Sequence, residues 1–295
     1  MKLSALMAAA AVVLLSATGV QAADTLAKIA ESGKITLAYR ESSVPFSYLD
    51  GPNKPIGFSV ELSNAVVEAV KKKLNKPSLQ VQLMPVTSQN RIPLITNGTV
   101  DLECGSTTNN SARGKDVAFA VNHFYTGTRL LVKKSSKIKN YADLAKKTVA
   151  STTGTTNALV MRKYNTEKNL DMDIVLAKDH ADAFLLVDAG RAVAFAMDDI
   201  LLYGLMSNAK NPADYEVVGD ALQDEPYACM LPKDDPAFKK LVDDTFIGMM
   251  KSGEFEKLYT KWFMSPIPPK NMPLNLPMSQ QLKDNLKTPS DKPAT

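Results

Sequence analysis

The sequence has few of the residues that build metal centres or disulfide-rich domains. Its 295 residues include only two cysteines and two histidines, and His123 and His180 lie far apart in the chain. This spacing excludes the zinc-binding patterns in which cysteine and histidine recur within a few residues, so we expect no metal. For Cys104 and Cys229 a disulfide and two buried free thiols both remain open, and we favour the disulfide because both fall at strand-like positions.

Long hydrophobic runs and a strong excess of one charge are also missing. The main apolar stretch, residues 5–15, is shorter than a membrane span and follows the basic start Met1-Lys2. With the small-residue site at residues 20–22 behind it, this stretch is typical of a secretory signal peptide. The formal net charge of +4 is too small for a nucleic-acid-binding surface, so we expect no nucleic-acid partner.

A polar stretch around Ser106, Thr108 and Arg113 carries the clearest sign of a binding site. Residues 99–104 have the pattern of a short strand, and a short helix is predicted to begin after Asn110. Hydroxyl groups and unpaired backbone N–H groups at a helix N-terminus suit a carboxylate, which a guanidinium can grip with two parallel hydrogen bonds. An ordinary solvated turn would look the same, so these residues alone leave both interpretations open.

Two more strands of the first half are followed by basic and hydroxyl side chains. Arg40 follows the predicted strand 35–39. Ser88 and Arg91 follow the predicted strand 79–86, at the start of a short helix. In open α/β sheets ligands bind beyond the carboxyl ends of strands, so a site built from these residues competes with the alternative of solvated surface arginines.

The second half of the chain repeats the order of strand, polar turn and helix. Thr155 and Thr156 lie in a Gly/Thr turn that precedes an amphipathic helix, a layout that suits phosphate or carboxylate. The turn lacks the lysine of a nucleotide-binding P-loop, and we expect no cofactor.

Two more strand ends follow in the second half. His180 comes soon after the predicted strand 173–177, and Asp198 follows the predicted strand 191–197. An aspartate at this position can pair with a ligand ammonium or cap a helix. We expect Asp198 to face a ligand and Asp199 to cap the next helix.

The spacing Ser106-x-Thr108-x₄-Arg113-x-Lys115-x₃-Phe119 resembles the amino-acid-binding motif of the polar amino-acid solute-binding proteins of bacterial uptake systems. The resemblance covers nearly all of the chain beyond the signal peptide, and it is strongest to the members that bind glutamate and aspartate. Ser59 departs from the pattern, because the family usually has an acidic residue there.

The resemblance implies the type II periplasmic binding protein fold, an α/β fold with two lobes. Each lobe is expected to be a mostly parallel sheet flanked by helices, and two crossover strands join the lobes. The expected boundaries are 1–22 for the signal peptide, 23–128 for the first part of lobe one, 129–225 for lobe two, and 226–295 for the rest of lobe one and a C-terminal tail. We expect the last residues of this tail to be loose.

The resemblance also implies how ten residues share an amino-acid ligand. It assigns Arg40, Ser88, Arg91 and His180 to a side-chain carboxylate, Ser106, Thr108, Arg113, Thr155 and Thr156 to the α-carboxylate, and Asp198 to the ammonium. With His180 neutral, the three arginines and one aspartate leave a surplus of about two positive charges, and buried unpaired cations are costly. A second ligand carboxylate would meet one of these charges, and Asp179, Glu41 or water would meet the rest.

Together these observations predict a periplasmic receptor, not an enzyme, that closes over L-glutamate or L-aspartate. We expect it to act as a monomer and to deliver its ligand to the permease of an ABC transporter. Three alternatives stay open: a binding protein for another polar amino acid, a structural export factor, and a periplasmic dehydratase of the same fold with an acidic cyclic substrate. For the dehydratase, Glu41, Asp179 and His180 are the candidate general acids or bases.

Overall fold

Two large open β-sheets flanked by helices, together with two small antiparallel sheets, make up the computed structural model, which describes residues 24–294. The predicted signal peptide, residues 1–22, lies outside the described residues. The strands are β1 (Lys34–Tyr39), β2 (Ser42–Ser43), β3 (Ser47–Leu49), β4 (Pro55–Ile56), β5 (Gln80–Pro85), β6 (Leu102–Glu103), β7 (Val117–Phe119), β8 (Phe124–Lys133), β9 (Thr148–Thr152), β10 (Asp173–Ala177), β11 (Ala194–Asp198), β12 (Tyr215–Val218), β13 (Asp224–Tyr227), β14 (Met230–Pro232), β15 (Pro266–Ile267) and β16 (Met272–Pro273).

The α-helices mostly follow the strands, as the alternation of patterns in the sequence predicts. They are α1 (Thr25–Ser32), α2 (Phe58–Leu74), α3 (Arg91–Thr96), α4 (Thr156–Lys168), α5 (His180–Asp188), α6 (Asp199–Asn208), α7 (Pro236–Ser252), α8 (Glu254–Tyr259) and α9 (Gln280–Lys287). Among the helices of residues 24–294, none has the length and apolar character that crossing a membrane requires.

Each of the two large sheets is parallel except for one reversed strand. The first sheet has the order β5-β1-β6-β14-β7, and β14 runs antiparallel to both of its neighbours. The second has the order β10-β9-β11-β8-β12, and β8 runs antiparallel to both of its neighbours. We call the parts of the chain around these sheets the first lobe and the second lobe.

Strands β8 and β13 connect the lobes. Residues 124–127 of β8 pair antiparallel with β13, and residues 128–133 continue into the second sheet. β13 leads back to β14 of the first sheet. The lobe boundaries at residues 128 and 225 stay a prediction, and a paired two-strand connection of this kind suits hinge closure.

The core beneath this connection is aromatic. The ring of Phe46 is fully buried, and its centroid lies 4.9 Å from that of Phe124, 5.2 Å from that of Tyr227 and 5.5 Å from that of Phe263. Edge-to-face contacts of this kind add to the burial of apolar area. The loop after β1 is therefore fixed to the connecting strands by its aromatic side chain.

A disulfide fixes the stretch that the sequence singled out. Cys104 and Cys229 are bonded, with their Cα atoms 4.3 Å apart, which confirms the expected pairing. The bond joins the residue after β6 to the segment between β13 and β14, 125 residues further along the chain. It therefore ties the start of the polar stretch to the strand that returns from the second lobe.

The predicted helix after Asn110 is wrong. The structure has only a three-residue 3₁₀ turn, Arg113–Lys115, because β7 begins at Val117 and leaves no room for a longer helix. The Asn110 side chain accepts a hydrogen bond of 2.9 Å from the Arg113 backbone N–H. Arg113 is thus placed by a capped turn and not by a helix N-terminus. The strand predicted over residues 99–104 is likewise shorter, Leu102–Glu103.

The expectation of a loose C-terminal tail is also wrong for the described residues. The side chain of Asn122 donates to the Lys292 carbonyl at 2.9 Å, and that of Asn109 donates to the Asp291 carbonyl at 2.7 Å. The Ala294 N–H donates to the Asn109 carbonyl at 2.9 Å. Buried asparagine side chains of the first lobe provide the tail with partners that its own sequence does not reveal.

Deleting residues 289–295 should therefore lower the free energy of unfolding by about 2–4 kcal/mol, because buried Asn109 and Asn122 lose hydrogen-bond partners. Urea denaturation of the purified protein measures this. The matched control is Asp291→Ala, which removes only an ion pair with Lys239 in which Asp291 is half exposed, and should cost less than about 1 kcal/mol. Equal stability of the deletion variant and the unaltered protein would contradict the docking of the tail.

Candidate functional site

The predicted site residues come together in the cleft between the two lobes. In the first lobe, Arg40 follows β1, Ser88 precedes α3, and Arg91 is the first residue of α3. Ser106, Thr108 and Arg113 lie in the stretch after β6. From the second lobe come Thr155 and Thr156 at the start of α4, His180 at the start of α5, and Asp198 at the end of β11. All lie at or near strand ends, as the sequence predicts.

Several of these residues touch across the cleft. A nitrogen of the Arg40 guanidinium, Nη2, lies 3.2 Å from Asp179 Oδ1 and 3.3 Å from His180 Nε2. The hydroxyls of Thr108 and Thr156 lie 3.4 Å apart. These contacts join the first lobe to the second, so the structure is a closed form of the cleft.

Gly154 allows one of the closest approaches between the lobes. It has φ +79°, and a Cβ built on it would lie 2.6 Å from the Cα of Gln89 in the first lobe. Its carbonyl accepts a hydrogen bond of 3.3 Å from Nη2 of Arg113. A side chain at this position would both strain the turn and hold the lobes apart.

Two arginines of the cleft are buried and only partly paired. Arg40 is fully buried and Arg91 is 2% exposed. Among the described residues, Nε and Nη1 of Arg40, Nε of Arg91 and the Ser88 hydroxyl have no hydrogen-bond partner. Buried donors without acceptors are costly, and guanidinium donors are best matched by a carboxylate.

A second group of donors lies around Arg113. Its Nη1 donates to the Thr108 carbonyl at 2.9 Å, and the Ser106 hydroxyl donates to the Ser43 hydroxyl at 3.2 Å. Burial lowers the pKa of Arg113, and Glu225 and Asp198 act in the opposite direction. The side chain therefore lies in surroundings that favour an anionic partner.

The two predicted site threonines of the second lobe, Thr155 and Thr156, differ in the hydrogen-bond partners of their hydroxyl groups. Thr155 Oγ1 donates to the Thr152 carbonyl at 2.7 Å and accepts from the Ala158 N–H, so its hydroxyl serves the cap of α4. Thr156 Oγ1 donates to Glu225 Oε2 at 3.0 Å and faces Thr108. Of the two hydroxyls, only that of Thr156 faces the first lobe.

His180 is buried between the two lobes. Its Nδ1 lies 2.9 Å from the Thr152 hydroxyl, and its Nε2 faces Arg40. Burial, reinforced by the nearby Arg40 charge, lowers the pKa of the imidazole to about 3. His180 is therefore neutral at neutral pH, as the charge count from the sequence assumes.

Asp198 is fully enclosed by polar partners. Its carboxylate accepts hydrogen bonds from the Asn157 amide at 2.6 Å and from the Tyr227 hydroxyl. Burial, followed by the neighbouring Glu225, raises the pKa of Asp198 to about 8. The expectation that Asp199 caps α6 is wrong, because the Asp199 side chain accepts from the Thr126 hydroxyl at 2.6 Å.

Counting charges from the sequence missed two buried carboxylates, Glu103 and Glu225, both fully buried beside the cleft. Asp179 pairs directly with Arg40, as expected, whereas Glu41 is exposed. The predicted surplus of about two positive charges is therefore too large, because nearby carboxylates balance the charge of the arginines. The guanidinium groups of Arg40 and Arg91 still have hydrogen-bond donors without partners among the described residues. Val100–Cys104 alternates apolar residues with Asp101 and Glu103, a pattern that predicts a half-buried strand and gives no signal that Glu103 is fully buried.

A cavity of about 730 Å³ adjoins the cleft. It is lined by Thr108, Thr156 and Glu225 together with residues 292–294 of the tail, but not by Arg40 or Arg91. Within the described part of the chain, His, Cys, Asp and Glu side chains do not gather in any group of three or more that would hold a metal ion.

Comparison with known proteins gives close relatives over most of the chain. The chain is 55% identical over 271 residues to the glutamate/aspartate import solute-binding protein of Escherichia coli K12, which covers 92% of this chain and 90% of that one. It is 53% identical over the same length, with the same coverage, to the L-glutamate/L-aspartate-binding protein of Pseudomonas aeruginosa.

A solved structure shares the fold. The crystal structure of an ancestral amino acid-binding protein, described as a precursor of cyclohexadienyl dehydratase, matches with a TM-score of 0.69 and 29% identity and covers 81% of this chain and 99% of that one. Two-lobed binding proteins of this kind have open sheets, as observed here. The model of the bacterial extracellular solute-binding proteins, family 3, matches residues 35–265, and the chain belongs to this family.

Proposed function

We propose that the protein is a periplasmic receptor that closes its two lobes over L-glutamate or L-aspartate and delivers it to the permease of an ABC transporter. The observation that carries this proposal is the set of buried, unpaired donors on Arg40, Arg91 and Ser88. The names of relatives at 53–55% identity support both the ligand class and the role in import.

Two separate groups of donors favour a ligand with two carboxylates. Arg40, Ser88 and Arg91 form one group, and Arg113 with Ser106 and Thr108 forms the other. We assign the first to the side-chain carboxylate and the second to the α-carboxylate. An amide side chain would offer the first group one acceptor oxygen in place of two, and its N–H donors would face the donor-only guanidinium groups of Arg40 and Arg91, so glutamine should bind more weakly.

Asp198 is the partner that we assign to the ligand ammonium. Its oxygens already receive hydrogen bonds from Asn157 and Tyr227, and these fix the carboxylate in one orientation. A bound ammonium favours the ionised form of a buried carboxylate. The ligand would therefore lower the raised pKa of Asp198.

Closure follows from the division of the site between the lobes. Arg91 and Arg113 belong to the first lobe, whereas Thr156, His180 and Asp198 belong to the second. A ligand that contacts both sets binds the closed form more tightly than the open form, and this difference shifts the equilibrium towards closure.

The three residues that the sequence offers as general acids or bases for a dehydratase are poorly suited to that role. Asp179 is engaged by Arg40 at 3.2 Å, Glu41 is exposed, and His180, with a pKa of about 3, does not take up a proton near neutral pH. A general acid or base works best when its pKa lies near the working pH. The binding role is therefore the better supported one.

Isothermal titration calorimetry of the purified protein with glutamate, aspartate, glutamine and arginine tests the function. We expect binding of glutamate or aspartate, with glutamine at least about tenfold weaker because the unpaired donors discriminate against the amide. Tight binding of glutamine or arginine with no heat from either acidic amino acid would overturn the proposal.

Arg91→Ala should weaken glutamate binding by about 2–5 kcal/mol, since it removes a buried partner of the second carboxylate. Glutamine binding should change far less. The same calorimetry measures both, and Arg162→Ala, at an exposed position on α4, should leave both affinities unchanged. Equal losses for the two ligands would show that Arg91 does not contact the side-chain carboxylate.

Glutamate binding at pH 7 should release protons. Because the pKa of Asp198 is raised to about 8, most of the unliganded protein holds a proton there, and ionisation by the ligand ammonium frees it. Calorimetry in buffers of different ionisation enthalpy counts the protons released. Asp198→Asn should bind more weakly and without this release, and an unchanged proton count in the variant would contradict the assignment.

A further inference from the structure

Glu103 is a buried carboxylate next to the cleft that makes no contact assigned to the ligand. It lies on β6 in the middle of the first sheet, where its neighbours are Ala38 on β1 and Met230 on β14. The residue is fully buried. A carboxylate in such surroundings is costly unless a charge or a hydrogen bond compensates it.

A single hydroxyl connects Glu103 to the binding site. The Thr107 hydroxyl donates to Glu103 Oε2 at 2.7 Å and accepts from Nη1 of Arg91 at 2.6 Å. Nη1 of Arg91 also donates to the Ser106 carbonyl at 3.2 Å. One end of the guanidinium is thus held by the protein, and Nε has no partner among the described residues.

The backbone beside Glu103 leaves room for its carboxylate, whose Oε1 has no hydrogen-bond partner among the described residues. A Cβ built on Gly105 would lie 2.4 Å from Glu103 Oε1 and 3.3 Å from Cγ of Arg40. A side chain at Gly105 would therefore displace the carboxylate. Cys104, between these two residues, is fixed by its disulfide to Cys229, which limits how far the segment can shift.

Several charged groups in this region influence the pKa of Arg91. Burial lowers its pKa to about 9, the like charges of Arg113 and Arg40 act in the same direction, and Glu103 is the strongest influence that raises it, ahead of Tyr227. His180 lies in the same cluster and is neutral there. Glu103 is therefore the carboxylate that most favours the charged form of Arg91.

We propose that Glu103, acting through the Thr107 hydroxyl, is the positioning residue that keeps Arg91 charged and aimed at an anionic ligand, and that this relay determines the preference for an acid over an amide side chain. The inferred ligand preference rests on the proposed function, whereas the inferred charge and position of Arg91 are independent of it.

The first test follows the charge of Arg91 without any ligand. In ¹³C NMR titrations the midpoint of the Cζ resonance of Arg91, assigned by its loss in Arg91→Lys, should lie below the ordinary arginine range, because burial lowers its pKa. In Glu103→Gln, which keeps the shape and removes the charge, the midpoint should fall by about one pH unit or more. A midpoint that does not move would overturn the relay.

The second test compares two substitutions of Thr107. Thr107→Val keeps the shape of the side chain and removes the bridge, so glutamate affinity should fall about 10- to 100-fold while glutamine affinity changes little. Thr107→Ser keeps the hydroxyl and should stay within about threefold of the unaltered protein for both ligands. Unchanged discrimination in Thr107→Val, or equal losses in the two variants, would overturn the relay.

The two tests separate the two proposals. If the unaltered protein does not bind glutamate but the Arg91 midpoint moves in Glu103→Gln, the proposed function fails and the relay stands. If glutamate binds but neither the midpoint nor the discrimination changes, the relay fails and the function stands. Should Glu103→Gln not fold, the comparison of Thr107→Val with Thr107→Ser decides the question of the relay.

Discussion

Two buried guanidinium groups at the meeting point of the lobes impose the constraint that the rest of the site satisfies. Arg40 and Arg91 are almost completely removed from water, which is costly for any cation. The protein compensates each with one carboxylate, Asp179 directly for Arg40 and Glu103 through Thr107 for Arg91. Each arginine keeps at least one donor without a partner among the described residues, and these donors define what the cleft is suited to bind.

The scaffold around these arginines limits how they can move. Strands β1 and β6, which carry Arg40 and Glu103 at or just beyond their ends, are neighbours in the first sheet. The disulfide from Cys104 fixes the end of β6 to the returning segment of the chain. The donors are therefore held in place before a ligand arrives, which reduces the entropy lost on binding. The second lobe contributes the groups that depend on closure.

Much of the fold was predictable because its elements depend on local patterns. The strand at residues 173–177 was predicted with the bounds that the structure has, and the strand predicted at residues 79–86 agrees with β5 within one residue at each end. Both have strong periodicity and clear end signals. The helix expected after Asn110 failed because β7 begins almost at once, a constraint that local propensity does not contain. The tail was misjudged because its partners, Asn109 and Asn122, are remote in sequence.

Motif spacing and periodicity were sufficient to predict the family, the order of the main strands and helices, and the polar residues at strand ends. Three-dimensional contacts were needed to show which cations are compensated, which donors lack partners among the described residues and that Cys104 meets Cys229. Burial and pairing depend on contacts between distant parts of the chain, so no local pattern contains them. Arg40 and Asp179, for example, are separated by 139 residues and meet only when the lobes come together.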